Sequence, residues 1–223
     1  MLKPHKRITK RHLKEDKFVT YYFKAVDYVE TNSRQILIGV GTLLAISIAM
    51  FAYSRNQASK ESAAVVELAK ATQEYANANY EGATVVFKNL IDKYGSTKSG
   101  KMARFYLANA YFELKNYAEA EKNYGDFSDD SDDDVLAASA LSGVAACLEE
   151  QAKFDEAAQV YQKTAEKFPE AFIAAENLYH SARCYMLSGK RQEALATLNR
   201  LLERFPDSPV KADAELLLAE LSS

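Results

Sequence analysis

Tryptophan is absent from these 223 residues, and glycine (8), proline (4), histidine (3) and cysteine (2) are scarce. So few helix breakers favour long helices joined by short turns, and an all-α chain is the first expectation. The histidines exclude more. His5 and His12 lie in a basic leader, no Ser-His-Asp or Cys-His grouping is supported, and no glycine-rich phosphate loop occurs. No enzymatic activity and no cofactor is therefore expected. His180 is read as a packing residue of a helix, hydrogen-bonded or exposed. Neither cysteine, Cys147 nor Cys184, follows a hydrophobic run, which excludes lipid attachment behind one.

What is present divides the chain by charge. The net formal charge is -3, yet residues 1–35 carry nine Lys or Arg against four Asp or Glu, and residues 56–223 sum to -9. Opposite signs suggest different surroundings. Between them, Ile36 to Tyr53 form an apolar run of 18 residues bracketed by Arg34 and Arg55. As a helix it is about 27 Å long, near the roughly 30 Å hydrocarbon thickness. A membrane span is expected over residues 36–54. Its basic flank places the amino terminus in the cytosol. A signal peptide cut after Ser47-Ile48-Ala49 is the alternative, but the run continues past that point and the leader is unusually long. Gly39 and Gly41 are too close in sequence for the familiar helix-dimer motif. Ahead of the span, Phe18, Tyr22, Phe23, Val26 and Val29 recur at helical steps and form one apolar stripe, either on the membrane surface or as an extension of the span.

A repeat fills the remainder. Ala83, Ala120, Ala157 and Ala194 stand 37 residues apart; Tyr80, Tyr117, Phe154 and Arg191 precede them, and Phe87, Tyr124, Tyr161 and Leu198 follow at fixed offsets. Gly95, Asp132, Pro169 and Pro206 stand where a helix should stop. Each unit reads as two antiparallel helices, with small residues permitting close approach and aromatic residues filling the gaps.

This pattern resembles the tetratricopeptide repeat, carried by Leu107, Ala108, Tyr111, Tyr117, Ala120 and Tyr124, by Leu141, Ala145, Leu148, Phe154, Ala157, Tyr161 and Pro169, and by Leu178, Ala182, Tyr185, Gly189, Ala194, Leu198 and Pro206. The resemblance implies a right-handed α-solenoid of about four hairpins: residues 64–100, 101–137, 138–174 and 175–207 within 55–207. A capping helix over 208–223 follows, supplied by Val210, Ala214, Leu217, Leu218 and Leu221. The first unit is poorer, with Glu67, Lys70 and Glu74 where the family is apolar, so its first helix is in doubt; the alternative is a helix running directly from the span, with Val65, Val66 and Leu68 leaning onto the stack. The phrases Phe168-Pro169-Glu170-Ala171 and Phe205-Pro206-Asp207-Ser208 resemble Tol-Pal-associated and outer-membrane assembly proteins of this class. The layout of basic leader, span and acidic repeats resembles the ancillary subunit of the bacterial Sec translocon.

In this family the first helix of each hairpin lines a concave groove, which implies a protein-binding surface of Phe105, Asn109, Phe112, Glu113, Ser142, Ala146, Glu149, Tyr179, Arg183 and Met186. Lysines that clamp a terminal carboxylate are missing from the matching positions. Cys147 and Cys184 occupy one repeat position on successive helices, roughly 10 Å apart, and should remain free thiols. The run Asp126, Asp129, Asp130, Asp132, Asp133 and Asp134 lacks the Gly and Glu of a calcium loop and reads as an inter-hairpin turn whose last acids favour the next helix start. Its acidity opposes nucleic-acid binding. The function expected is a scaffold anchored in the bacterial inner membrane, its repeats periplasmic, recruiting proteins such as the translocon, chaperones or clients. The alternative is a self-associating envelope protein for division or outer-membrane coordination.

Overall fold

The computed structural model describes residues 17–170 and 172–222, and every regular element among them is helical. The elements are α1 (Lys17–Thr31), α2 (Ser33–Ala76), α3 (Tyr80–Tyr94), α4 (Lys98–Glu113), α5 (Tyr117–Asp130), α6 (Asp134–Glu150), α7 (Phe154–Lys167), α8 (Ala174–Leu187), α9 (Arg191–Arg204) and α10 (Lys211–Ser222). Two compact units divide between Asn56 and Gln57, inside α2. The basic residues of the leader up to Lys14 lie outside the described residues.

The first unit holds α1 and the apolar part of α2. Its large side chains point outward: Leu37 is 74% exposed, Leu43 66% and Phe51 65%. Over an 18-residue window α2 reaches a mean hydropathy of 2.2 with none of that window buried, which makes it long and apolar enough to cross a membrane.

In the second unit apolar residues turn inward. Ala71, Ala108, Ala145 and Ala182 on the first helices, and Ala83, Ala120, Ala157 and Ala194 on the second, are all fully buried. A methyl group at each contact lets neighbouring helices close, and larger side chains interlock around it. The core falls into two main clusters, one centred on Phe87, Leu107 and Tyr124, the other on Tyr161, Leu178, Leu198 and Leu201. Cys147 belongs to the first and Cys184 to the second, both buried and free.

Each hairpin turns in the same way. The left-handed residues Ala78, Lys115, Ala152 and Gly189 recur at the repeat step. In each turn this residue's N–H bonds back three residues and the next N–H bonds back five, as in Lys115 to Phe112 and Asn116 to Tyr111. That is the Schellman closure of a helix end. Three helix starts, those of α3, α4 and α6, use side chains: Thr97 accepts from the Gly100 N–H at 3.0 Å, and Asp133 accepts from Val135 and Leu136 at 2.9 and 3.0 Å. Gly100 has no room for a side chain, since a Cβ there would lie 1.9 Å from the Tyr94 carbonyl oxygen.

The first unit's first helix is formed and runs on directly from the apolar segment, the second of the two readings its sequence allowed: α2 continues through it to Ala76. Ala64 and Ala71 are buried, with Leu68 and Tyr75 packed on the core. Val65 and Val66, expected to lean onto the stack, are instead 51% and 55% exposed. The register explains Lys70. It stands one repeat before Leu107 and two before Val144, and three before Ser181, whose hydroxyl donates to the Ala158 carbonyl of the preceding hairpin at 2.8 Å. No hairpin precedes Lys70 in its unit, so this face meets solvent and Lys70 pairs with Glu67 at 3.0 Å. Glu61 instead anchors the start of α4, accepting from the Ser99 hydroxyl at 2.7 Å. At the other end Ala214, Leu217 and Leu221 of α10 are buried against the last hairpin.

Candidate protein-binding groove

The first helices α4, α6 and α8 present successive copies of one face. On α6 the residues Ser139, Ser142, Gly143 and Ala146 are all small, so the helix leaves space toward α8. The result is a cleft of about 340 Å³ whose other wall is Ile173, Glu176, Asn177 and His180, with Tyr161 contributing from α7. The Ser142 hydroxyl donates to Asn177 Oδ1 at 2.8 Å, linking the walls. One turn further along each helix, Arg183 Nη2 donates to Glu149, which also accepts from the Tyr161 hydroxyl at 3.3 Å.

A series of ring contacts explains why the cleft lies here. Nineteen residues separate Phe87 from Tyr106 and Tyr161 from His180, and both pairs stack, with centroids 5.9 and 5.3 Å apart. The corresponding middle pair is Tyr124 and Gly143, and a Cβ on Gly143 would lie 2.7 Å from the Tyr124 ring. Glycine thus admits Tyr124 and removes the side chain that would stand beside Ala146. Tyr124 donates to Asn109 Oδ1 at 2.5 Å.

Of the expected groove residues, the structure brings Ser142 and Ala146 into the cleft and joins Glu149 to Arg183 beside it. Tyr179 packs edge-on against His180, and Met186 packs on the core. Phe105 and Phe112 are placed differently. Phe105 lies 5.7 Å from Tyr124 and 5.3 Å from Phe127, and Phe112 lies 5.4 Å from Tyr117, so both fill gaps between helices. Asn109 is held by Tyr124, and Glu113 is exposed at the end of α4. Sequence reasoning missed Gly143, Asn177 and His180; the interruption of the nineteen-residue aromatic pairing at Gly143 was the available signal.

His180 packs as expected, half-buried and stacked on Tyr161, but its Nδ1 is buried and without a partner. Burial, aided by the Arg183 charge, lowers its pKa from the usual 6.5, which favours the neutral ring. Asn177 Nδ2 and Arg183 Nε are likewise buried without partners. The three stand at successive three-residue steps and line one stripe of α8. Burial and then the Glu149 charge push the Cys184 thiol up to about 12, so it is not a poised nucleophile. Nor are the acids of the 126–134 turn gathered round a metal. Asp126 meets Arg104 at 3.6 Å, Asp130 meets Lys101 at 3.0 Å and Asp133 caps α6. Among the described residues no group of three or more His, Cys, Asp or Glu is placed to hold an ion.

A family model described as a tetratricopeptide repeat-like domain matches residues 27–177, and a second, a tetratricopeptide repeat, matches residues 148–221. The chain belongs to the tetratricopeptide repeat family. Two crystal structures of Podosopora anserina kinesin light chain nearly identical TPR-like repeats, one of them carrying a single substitution, each superpose with a TM-score of 0.58 at 15% identity. They cover 72% of this chain and 85% and 86% of those chains. YrrB, titled a TPR protein with an unusual peptide-binding site, aligns at 15% identity over 68% of this chain and 91% of its own, with a TM-score of 0.31. No curated protein matches the chain. Tetratricopeptide repeats are in general a non-enzymatic protein-interaction fold, and this chain is read on that basis as an interaction scaffold.

Proposed function

We propose that this protein is a scaffold anchored in the bacterial inner membrane by α2, whose periplasmic repeats bind other polypeptides and assist translocation or chaperone handover. The observation that carries the binding half is the cleft between α6 and α8. It is formed by small residues on one helix and edged by Asn177, His180 and Arg183, each with a buried polar atom lacking a partner. The Asn177 amide and the Arg183 Nε–H are donors that a backbone carbonyl or side-chain acceptor of a bound chain would satisfy when the cleft adjusts around it. The membrane half is supported by α2, whose apolar residues are exposed, and by the basic leader before it.

A photo-crosslinking residue placed at Ser139 in the full-length protein in cells tests the binding. Discrete adducts are expected, and Ala146→Trp, which fills the cleft, should abolish them. Adducts that persist in Ala146→Trp and match those from the exposed second-helix position Gln159 would sink the cleft as the binding site. For topology, protease added outside spheroplasts should digest the repeats while sparing an amino-terminal tag; the reverse pattern would overturn the proposed orientation.

A further inference from the structure

We infer that α1 is an interfacial helix lying in the headgroup layer of an anionic bilayer, a second membrane contact besides the span. The inference rests on the membrane reading of α2. It stands on three features of the first unit. The apolar sector of α1 is broad and outward-facing: Tyr21, Tyr22, Phe23, Tyr28 and Val29 are each more than half exposed, with Val26 between them. Four of its polar positions, Thr20, Lys24, Asp27 and Thr31, recur at steps of three and four and define one opposite line, while Glu30, two residues before the break at Asn32, is the one charge on the apolar side. Three tyrosines among the apolar residues suit the boundary layer, where the ring is apolar and the hydroxyl stays wet.

Connectivity sets the location. α1 ends at Thr31, and the apolar run of α2 begins at Ile36. That interval spans at most about 18 Å even when extended, so the end of α1 stays near the bilayer surface. Asn32 separates the two helices, its side-chain amide donating to the Tyr28 carbonyl at 2.9 Å. Charge selects the lipid. Residues 1–35 carry nine Lys or Arg against four Asp or Glu, which an anionic surface attracts and a second copy of the same segment repels.

The absence of tryptophan provides the probe. Full-length Phe23→Trp and, separately, Leu44→Trp are reconstituted into phosphatidylcholine vesicles with and without phosphatidylglycerol, using lipids brominated near the glycerol or near the chain end. Expected for Phe23→Trp is a blue-shifted emission, quenching strongest by shallow bromine, and a larger quenched fraction when phosphatidylglycerol is present. Leu44→Trp should respond most to deep bromine. Adding Tyr22→Glu to Phe23→Trp should abolish the shallow quenching, while Leu44→Trp stays quenched.

Three outcomes overturn the inference while the span survives through Leu44→Trp. These are Phe23→Trp open to aqueous acrylamide and untouched by bromine, Phe23→Trp quenched as deeply as Leu44→Trp, and Phe23→Trp protected from both quenchers, which marks a protein contact. If Leu44→Trp itself escapes lipid quenching, the membrane reading of α2 fails first, and the inference with it.

Discussion

The two units of this protein treat the same side chains in opposite ways. Phe51 in the first is 65% exposed, whereas Phe87 in the second is fully buried; Leu44 is 59% exposed and Leu178 is 1%. Helical backbone is common to both, so hydrogen bonding does not separate them. Under the proposed function the medium does: a helix whose apolar residues face outward satisfies its backbone internally and is compatible with hydrocarbon. A helix with one apolar face in water must find other helices, and stacked hairpins supply them.

The largest expected effect breaks this contrast with one substitution made twice. Phe87→Ala should cost about 3–5 kcal/mol of repeat-unit stability, read as a lower urea midpoint for the full-length protein in vesicles. Phe51→Ala should leave that midpoint unchanged; equal losses at both sites would mean that Phe51 packs against protein. Next, Leu44→Arg should cost about 2.5–3.5 kcal/mol of membrane insertion. Fractionation should find more protein outside the membrane, with the repeat unit's unfolding transition intact.

A smaller effect concerns the cleft. Gly143→Ala should cost about 1–3 kcal/mol, because its methyl group meets the Tyr124 ring; the additional variant Tyr124→Leu should recover part of it in a double-mutant cycle. Smaller still, Ala152→Gly should stabilise by up to about 1 kcal/mol, since Ala152 holds a left-handed conformation with φ 56°. A lower midpoint would show that added freedom in the unfolded chain outweighs the relieved strain.

The last expectation is a pH dependence confined to the second unit. Burial lowers the His180 pKa below 6.5, so the unfolded state binds the proton more readily than the folded state. The contribution of neutral His180 is present above pH 6.5 and declines as pH falls through that value toward the folded pKa. Urea midpoints compared between pH 7.5 and pH 5.5 should therefore fall less in His180→Phe than in the parent.

Much of the repeat unit is legible from spacing. The 37-residue recurrence of Ala83, Ala120, Ala157 and Ala194 requires a small side chain at each helix crossing, and all four are buried there. The turns were less visible. Gly189 advertises a left-handed residue, while Ala78, Lys115 and Ala152 adopt the same conformation without the residue that favours it. Hairpin closure imposes that geometry against local preference. The cleft was half visible: Ser142 and Ala146 follow from their helix face, but Asn177 and His180 do not, because their surroundings depend on a side chain missing from Gly143 on another helix.

By itself, the sequence determined the helical class, the apolar helix and the hairpin register, because each rests on periodicities of a few residues or on one fixed repeat. Only the tertiary structure decided that Lys70 and Glu67 mark an uncovered end, that Phe105 and Phe112 fill interhelical gaps, and that a cleft opens between α6 and α8. Those outcomes depend on which faces meet across residues far apart in the chain, and burial belongs to the pair of surfaces in contact, not to either residue alone.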